Sequence, residues 1–449
     1  MGRLFGTDGV RGIANSELTP ELAFNLGKVG AYVLSKEEQR PVVLIGKDTR
    51  ISGDMLEDAL SAGILAMGGN VIKVGVLPTP AVAYLVKYYK ATAGVVISAS
   101  HNTFEYNGIK FFNSEGFKLD DELEEQIEDI IIRNIDINSH ITGDRLGRCL
   151  AAEDDALDLY VKFLESTIDT RLDGMKIVLD CANGASYKVA ERVFSDLGAD
   201  ITVIANNPDG ININAGCGST HPENLQARVI AKKADLGLAF DGDADRLIAV
   251  DELGRIIDGD KTIVMCAKML KDTGLLAKDK VTATVMSNLG FHKAVEEMGC
   301  NVEVTQVGDR YVLESMLKTG GVIGGEQSGH IIFLNYTTTG DGILSALQLV
   351  KAIKASEKKP SEMSDEIIIY PQVLKNAAIK NENKKKYMED PEVSAEIARV
   401  ETLMAGEGRV LIRPSGTEPL VRVMIEGQNI EDITKLAQEL ALLITKRLG

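Results

Sequence analysis

The 449-residue sequence has only five cysteines, Cys149, Cys181, Cys217, Cys266 and Cys300, and no CxxC pair among them. Their odd number and wide spacing argue against a disulfide framework or a zinc knuckle and leave buried, reduced thiols as the expectation. Long apolar runs are missing too. No stretch approaches the roughly 18 apolar residues a membrane helix needs, and the opening MGRLFGTDGVRG has no apolar h-region. A cytoplasmic protein without membrane insertion is therefore expected. A myristoylation signal is discarded because Gly6 stands where that motif wants Ser or Thr. Basic residues are in deficit: 49 Lys and Arg face 66 Asp and Glu, for a net charge of −17. General attraction to nucleic acid or anionic lipid is disfavoured, and an anionic ligand would need a local basic pocket.

What is present is ample core material, 45% hydrophobic and 26% charged residues, the profile of a soluble globular chain. The length suggests roughly three or four domains. From Pro41, apolar runs (VVLIG, VIKVGV, AGVVIS) alternate with helical stretches, the pattern of parallel βαβ construction. It returns with KIVLD, ITVIA and LGLAF, and again with VTATVM, the helix FHKAVEEMG, NVEVTQVG and GVIGGEQSGHIIF. After the helix DGILSALQLVKAIKAS, the polar tract Lys380 to Glu389 reads as a solvated bridge to a separate piece. That piece contains strand RVLIRP, loop SGTEP, strand LVRVMIEG and a final helix. The expected fold is α/β: three similar mixed-sheet βαβ domains (1–150, 151–255, 256–370) and a smaller α+β domain (371–449) around a central cleft.

Each α/β unit ends a strand in a Gly-, Ser- or Asp-rich segment, and ligands gather at such strand ends in parallel α/β sheets. In DGDADR, Asp241, Asp243 and Asp245 alternate after the strand LGLAF, so an extended or gently turning backbone would aim three carboxylates one way. Their mutual repulsion calls for a cation, and hard oxygen ligands fit Mg²⁺. A calcium loop fails because Arg246 stands where it needs Gly, apolar Leu247 to Val250 follow, and the flanks are strands; an acidic solvated turn stays open. SASHN puts Ser100 just past the strand AGVVI, with His101 beside it and Lys110 ten residues on. Alone these are ordinary turn and cap residues. RPSGTEP gathers Arg413, Ser415, Gly416 and Thr417, which suit a phosphate through a guanidinium fork, hydroxyls and free backbone N–H groups, although a self-bonded hairpin turn is also possible. The opening FGTDGVRG adds a Gly-rich turn with Arg11 and Gly12.

These segments in this order resemble the α-D-phosphohexomutase superfamily over essentially the whole chain. The resemblance implies interconversion of glucosamine 6-phosphate and glucosamine 1-phosphate, for UDP-N-acetylglucosamine and cell-wall precursor synthesis. Glucose or mannose phosphates, or a catalytically silent phosphosugar-binding regulator, are the alternatives. By resemblance, Ser100 is the phosphoserine and, with Asp241, Asp243 and Asp245, a ligand of one Mg²⁺ per subunit. Lys110, His101, Arg246, His330 and Arg11 take catalytic roles, with Lys110 and His330 favoured for proton handling because a lysine near a metal and Arg246 should lose its proton more readily. Glu326 and Ser328 match the sugar-binding loop, and Arg413, Ser415, Gly416 and Thr417 the loop for the non-reacting phosphate. A homodimer is implied, as is a regulatory contact with a cyclic-dinucleotide synthase seen in some relatives. Thr103 stands where many relatives have Pro, and Ala244 and Gln327 are variable positions that bear on substrate choice.

Overall fold

A computed structural model describes residues 4–6, 8–35, 40–137, 141–152, 155–384, 386–404, 406–415 and 418–449. The chain forms two compact units: residues 1–286 with 299–365, and residues 287–298 with 366–449.

The first unit contains three sheets that repeat one plan. In the first, Val42–Lys47, Asn70–Val76 and Ala93–Ile97 run parallel with Val42–Lys47 in the middle, and Tyr106–Asn113 then folds back antiparallel on Ala93–Ile97. Val10–Ile13 and Cys149–Leu150 extend its two edges. The second sheet repeats this with Lys176–Asp180 central, Asp200–Ile204 and Leu236–Phe240 parallel to it, and Leu247–Asp251 returning antiparallel. The third does so with Lys280–Thr284, Asn301–Thr305, Ile323–Gly325 and Ile331–Phe333. In each, the return strand follows the third parallel strand directly. The connections that carry SASHN, DGDADR and GEQSGH are thus the same hairpin, three times over. Fully buried third strands, AGVVI and LGLAF, explain why these segments read as unbroken apolar runs.

The helices Pro20–Leu34 and Gly53–Ala66 pack on each other at backbone distance. A Cβ at Gly63 would lie 2.1 Å from the Phe24 carbonyl oxygen, and one at Gly27 would lie 2.2 Å from that of Leu60. Mid-helix glycine ordinarily weakens a helix, and here close approach is what it permits.

The second unit departs from expectation in three ways. Strand Gln372–Ala378, inside the expected 371–449 domain but not read as a strand, pairs along its length with Leu420–Gly427, which also pairs with Gly408–Pro414. The Lys380 to Glu389 tract is therefore an internal connection that leads into the helix Pro391–Met404, and not a bridge. The segment FHKAVEEMG forms the helix Leu289–Glu297 as expected but belongs to this unit. There the Glu426 carboxylate accepts from the Leu289 N–H at 3.0 Å and from Asn288 Nδ2 at 3.3 Å. A core of Val393, Val400, Val421, Val423, Leu440 and Ile444 joins the sheet to its helices.

Among the described residues no helix is long and apolar enough to cross a membrane. Gly63→Ala should destabilise the protein by about 1–3 kcal/mol through overpacking against a backbone that cannot yield; an unchanged melting temperature would contradict the close-packing reading.

Candidate active site

The DGDADR hairpin does not run extended. Ala244 adopts φ +58°, and the tight turn brings ligand atoms of Asp241, Asp243 and Asp245 within 4.8 Å of one another. All three are buried. Of the extended or gently turning backbone expected, the structure has neither: a tight turn with a left-handed residue supplies the convergence. Asp243 is fixed from two sides: the Thr79 hydroxyl donates to Oδ2 at 2.7 Å, and Lys110 Nζ donates to the same atom at 2.9 Å. Burial pushes the Asp241 carboxyl well above its ordinary range, and Asp245 and Asp243 push it further. Burial and then Asp243 raise Asp245. For Asp243 burial acts the same way but is outweighed by Lys110, which holds it below the usual range.

Two of the three carboxylates keep an oxygen without a hydrogen-bond partner among the described residues, Asp243 Oδ1 and Asp245 Oδ1. Buried, convergent, mutually repelling and partly unpartnered, this donor set fits a hard divalent cation such as Mg²⁺.

Ser100 stands beside it. Its Oγ donates to Asp241 Oδ2 at 2.7 Å and lies 3.3 Å from His101 Nδ1. Burial, with Arg246 and Arg11 nearby, lowers the His101 pKa to about 4, so this imidazole is neutral at ordinary pH. Lys110, from the strand that returns from the serine hairpin, is 2% exposed. Burial favours its neutral form, but Asp243, Asp8 and Asp245 outweigh that and raise its pKa, the reverse of the direction expected from the sequence.

Three residues missed in the sequence complete the charge network. Asp8 accepts from Lys110 Nζ at 2.9 Å and from Arg11 and Lys118. Lys118 reaches on to Asp309, and Asp309 Oδ2 lies 3.5 Å from His330 Nε2. Asp8 was visible only as the acidic residue of GTDG; Lys118 and Asp309 are single charges 191 positions apart, with no local signal. Asp8, Arg11, Arg246, Asp309, Glu326 and His330 line a cavity of about 670 Å³.

His330 is buried, with both ring nitrogens lacking hydrogen bonds among the described residues. Glu326 Oε1 accepts the Gly308 N–H at 3.1 Å. Ser328 is exposed and is not part of that wall. In the second unit, Arg413 sits directly across the antiparallel pair from Arg422. Ser415 is buried, and its carbonyl accepts from Lys384 Nζ at 3.0 Å, so the polar tract supplies at least one cation to this loop. Gly416 and Thr417 lie outside the described residues.

Comparison with known proteins follows the same divisions. Family models described as phosphoglucomutase/phosphomannomutase match in order: alpha/beta/alpha domain I over 2–137, domain II over 158–254, domain III over 258–369 and the C-terminal domain over 374–443. The fold and these matches define the class, that of the phosphohexomutases. A phosphoglucosamine mutase from Alkaliphilus oremlandii is 56% identical over 450 residues, covering 100% of both chains. One from Clostridium acetobutylicum is 58% identical over 447 residues with the same coverage. The chain belongs to the phosphoglucosamine mutase family. A solved phosphoglucomutase/phosphomannomutase family protein from Burkholderia thailandensis shares the fold, with TM-score 0.82 and 24% identity over 99% of this chain and 98% of that one.

Lys118→Met should leave Asp8 and Asp309 without their shared cation and cost about 3 kcal/mol, the scale for removing one partner of a largely buried pair. Equal denaturation midpoints for variant and wild type would show that the bridge carries no stability.

Proposed function

We propose that this chain is an intramolecular phosphotransferase that interconverts glucosamine 6-phosphate and glucosamine 1-phosphate, supplying precursor for UDP-N-acetylglucosamine and the cell wall. The single observation that carries the reading is the Ser100 hydroxyl hydrogen-bonded to Asp241 at the edge of three convergent buried carboxylates, in a chain 56% identical to a curated phosphoglucosamine mutase.

In this reading Ser100 carries the phosphoryl group. The free hydroxyl of a bound monophosphate attacks it, the bond to Ser100 Oγ breaks, and a bisphosphate forms. The bisphosphate reverses in the site, returns its other phosphoryl to Ser100, and the isomeric monophosphate leaves. Such transfer depends chiefly on positioning and on neutralising charge. Mg²⁺ held by Asp241, Asp243 and Asp245, with a phosphoserine oxygen, would supply the largest share of that neutralisation.

Arg246 and Arg11 border the cavity as cations for the moving group. Lys110, bonded to Asp243 and Asp8, joins them beside the carboxylate cluster. Lys110 and His330 are the favoured groups for the hydroxyl proton, His330 standing on the cavity wall without a hydrogen-bond partner among the described residues. Neutral His101 orients the serine side. Glu326 contributes the carboxylate that favours an amino sugar, with Ser328 beside it in the same loop. Arg413, Ser415, Gly416 and Thr417 would grip the phosphate that is not reacting, with Arg422 and Lys384 adding charge. The partner is thus a hexosamine phosphate; a homodimer and a cytoplasmic location follow from the family reading.

Ser100→Ala should fold normally and lose nearly all mutase activity, and intact-protein mass spectrometry should find a partial phosphate mass on the wild type that the variant lacks. Phosphate on another residue would sink the assignment. Glucosamine phosphates should give the highest kcat/KM, with glucose phosphates lower by roughly a hundredfold or more, the scale of a lost polar contact or two. Equal turnover of glucose or mannose phosphates would remove the amino-sugar reading and leave the phosphoserine mechanism standing.

A further inference from the structure

Ser100 holds its backbone at φ +51°, a left-handed conformation that a residue with a side chain keeps only where its surroundings impose it. The imposing group lies outside the site described above. Arg50, on the turn after the strand Val42–Lys47, is 3% exposed, and Asp48 is 2% exposed. Arg50 Nε donates to Asp48 Oδ2 at 2.8 Å, and the Arg50 backbone N–H donates to Oδ1 at 3.0 Å. Ser98 adds its hydroxyl to the same carboxylate.

With its charge matched by Asp48, the guanidinium directs its remaining N–H groups at the serine hairpin. One terminal nitrogen donates to the carbonyls of Ser100 at 3.0 Å and Asn102 at 2.8 Å. The other donates to Tyr106 at 3.0 Å and to Thr103. All five guanidinium donors are engaged, four of them on backbone oxygens of one loop, a pattern that a planar fork can make and an ammonium with three donors cannot.

A second donor comes from the second sheet's loops. Asn214 Nδ2 donates to the carbonyls of Ser100 at 2.9 Å and Asn102 at 3.0 Å. The Arg50 turn is itself tied to the same region, with the Ile51 N–H donating to the Gly210 carbonyl at 2.9 Å and Thr49 Oγ1 to that of Asn183 at 2.6 Å. Gly242 closes the remaining side, since a Cβ there would lie 2.5 Å from the Ser100 oxygen.

We propose that Arg50 and Asn214 are positioning residues for the phosphoryl transfer: by fixing the Ser100 and Asn102 carbonyls, they hold Ser100 Oγ at the carboxylate cluster through both halves of the cycle. This rests on the reading of Ser100 as the phosphorylated residue. Neither side chain touches the reacting atoms. A carbonyl oxygen is repelled by a phosphoryl group, so carbonyls held on Arg50 and Asn214 are kept from turning toward it. A Ser100 freed to relax from φ +51° would shift its hydroxyl relative to Asp241, and small displacements of a reacting atom are costly to rate.

Two variants test this. Arg50→Lys keeps a cation for Asp48 and loses the fork; Asn214→Gly removes the amide at a position whose φ of +58° glycine accepts without strain. The measurements are kcat and KM for glucosamine 6-phosphate, melting temperature, and phosphate occupancy of Ser100 by mass spectrometry on wild type and variants. Each variant should lose about ten- to a hundredfold in kcat with KM changed by less than about threefold, and Asn214→Gly should melt close to the wild type. Wild-type kcat in folded Asn214→Gly, or a KM that rises as far as kcat falls, would overturn the positioning role. If the active wild type bears no phosphate on Ser100, the mechanism and this inference fall together. If it does and the variants turn over normally, the inference alone falls.

Discussion

Clustered carboxylates at the heart of this protein must be held together against their own repulsion. Asp8, Asp243, Asp245 and Asp309 surround Lys110 and Lys118, each lysine serving more than one carboxylate. Removing charges from water is expensive unless partners and hydrogen bonds replace it. Lys110 and Lys118 provide that replacement for Asp8, Asp243 and Asp309, while Asp241 and Asp245 keep raised pKa values. The imbalance falls on the cluster of Asp241, Asp243 and Asp245, whose donors fit a divalent cation. The same electrostatics that threatens the fold thus defines its chemistry.

The three-sheet plan makes this concentration possible. Each sheet ends its third parallel strand in a hairpin, and backbone bonds tie two of these hairpins to each other and to helix starts: the Leu247 N–H donates to the Gly329 carbonyl at 3.0 Å, the Gly259 N–H to that of Gln327 at 3.0 Å, and the Thr79 N–H to that of Asp243 at 2.9 Å. Glycine enables the approach, since a Cβ at Gly329, with φ +95°, would lie 2.1 Å from the Leu247 oxygen. A repeated supersecondary unit has here been given three different loops: one with Ser100 and His101, one with three carboxylates, one with Glu326 and His330.

The α/β alternation, the three Gly-, Ser- and Asp-rich hairpins and the grouping of Asp241, Asp243 and Asp245 were legible because each is local. Apolar runs flanked by Gly, Ser and Asp mark strands and their ends. The strand Gln372–Ala378 was not legible, because its sequence QVLKNAA leaves most of its residues at least partly exposed and lacks the apolar run that marked the others. Nor was the second unit's claim on Leu289–Glu297, which rests on Glu426, 137 residues away from Leu289. Lys118 and Asp309 look like any surface charges until the fold brings them to Asp8 and His330.

By itself the sequence determined the element pattern, the place of Ser100 just past a strand end and the three alternating carboxylates of DGDADR, since these follow from residue type and short spacing. The tertiary structure decided their states and directions. It turned Ala244 and Ser100 left-handed, reversed the expected pKa shift of Lys110, kept His101 neutral and put Arg50 behind the serine hairpin. Those outcomes depend on burial and on charges distant in sequence, whose effects arise only when folding excludes water between them.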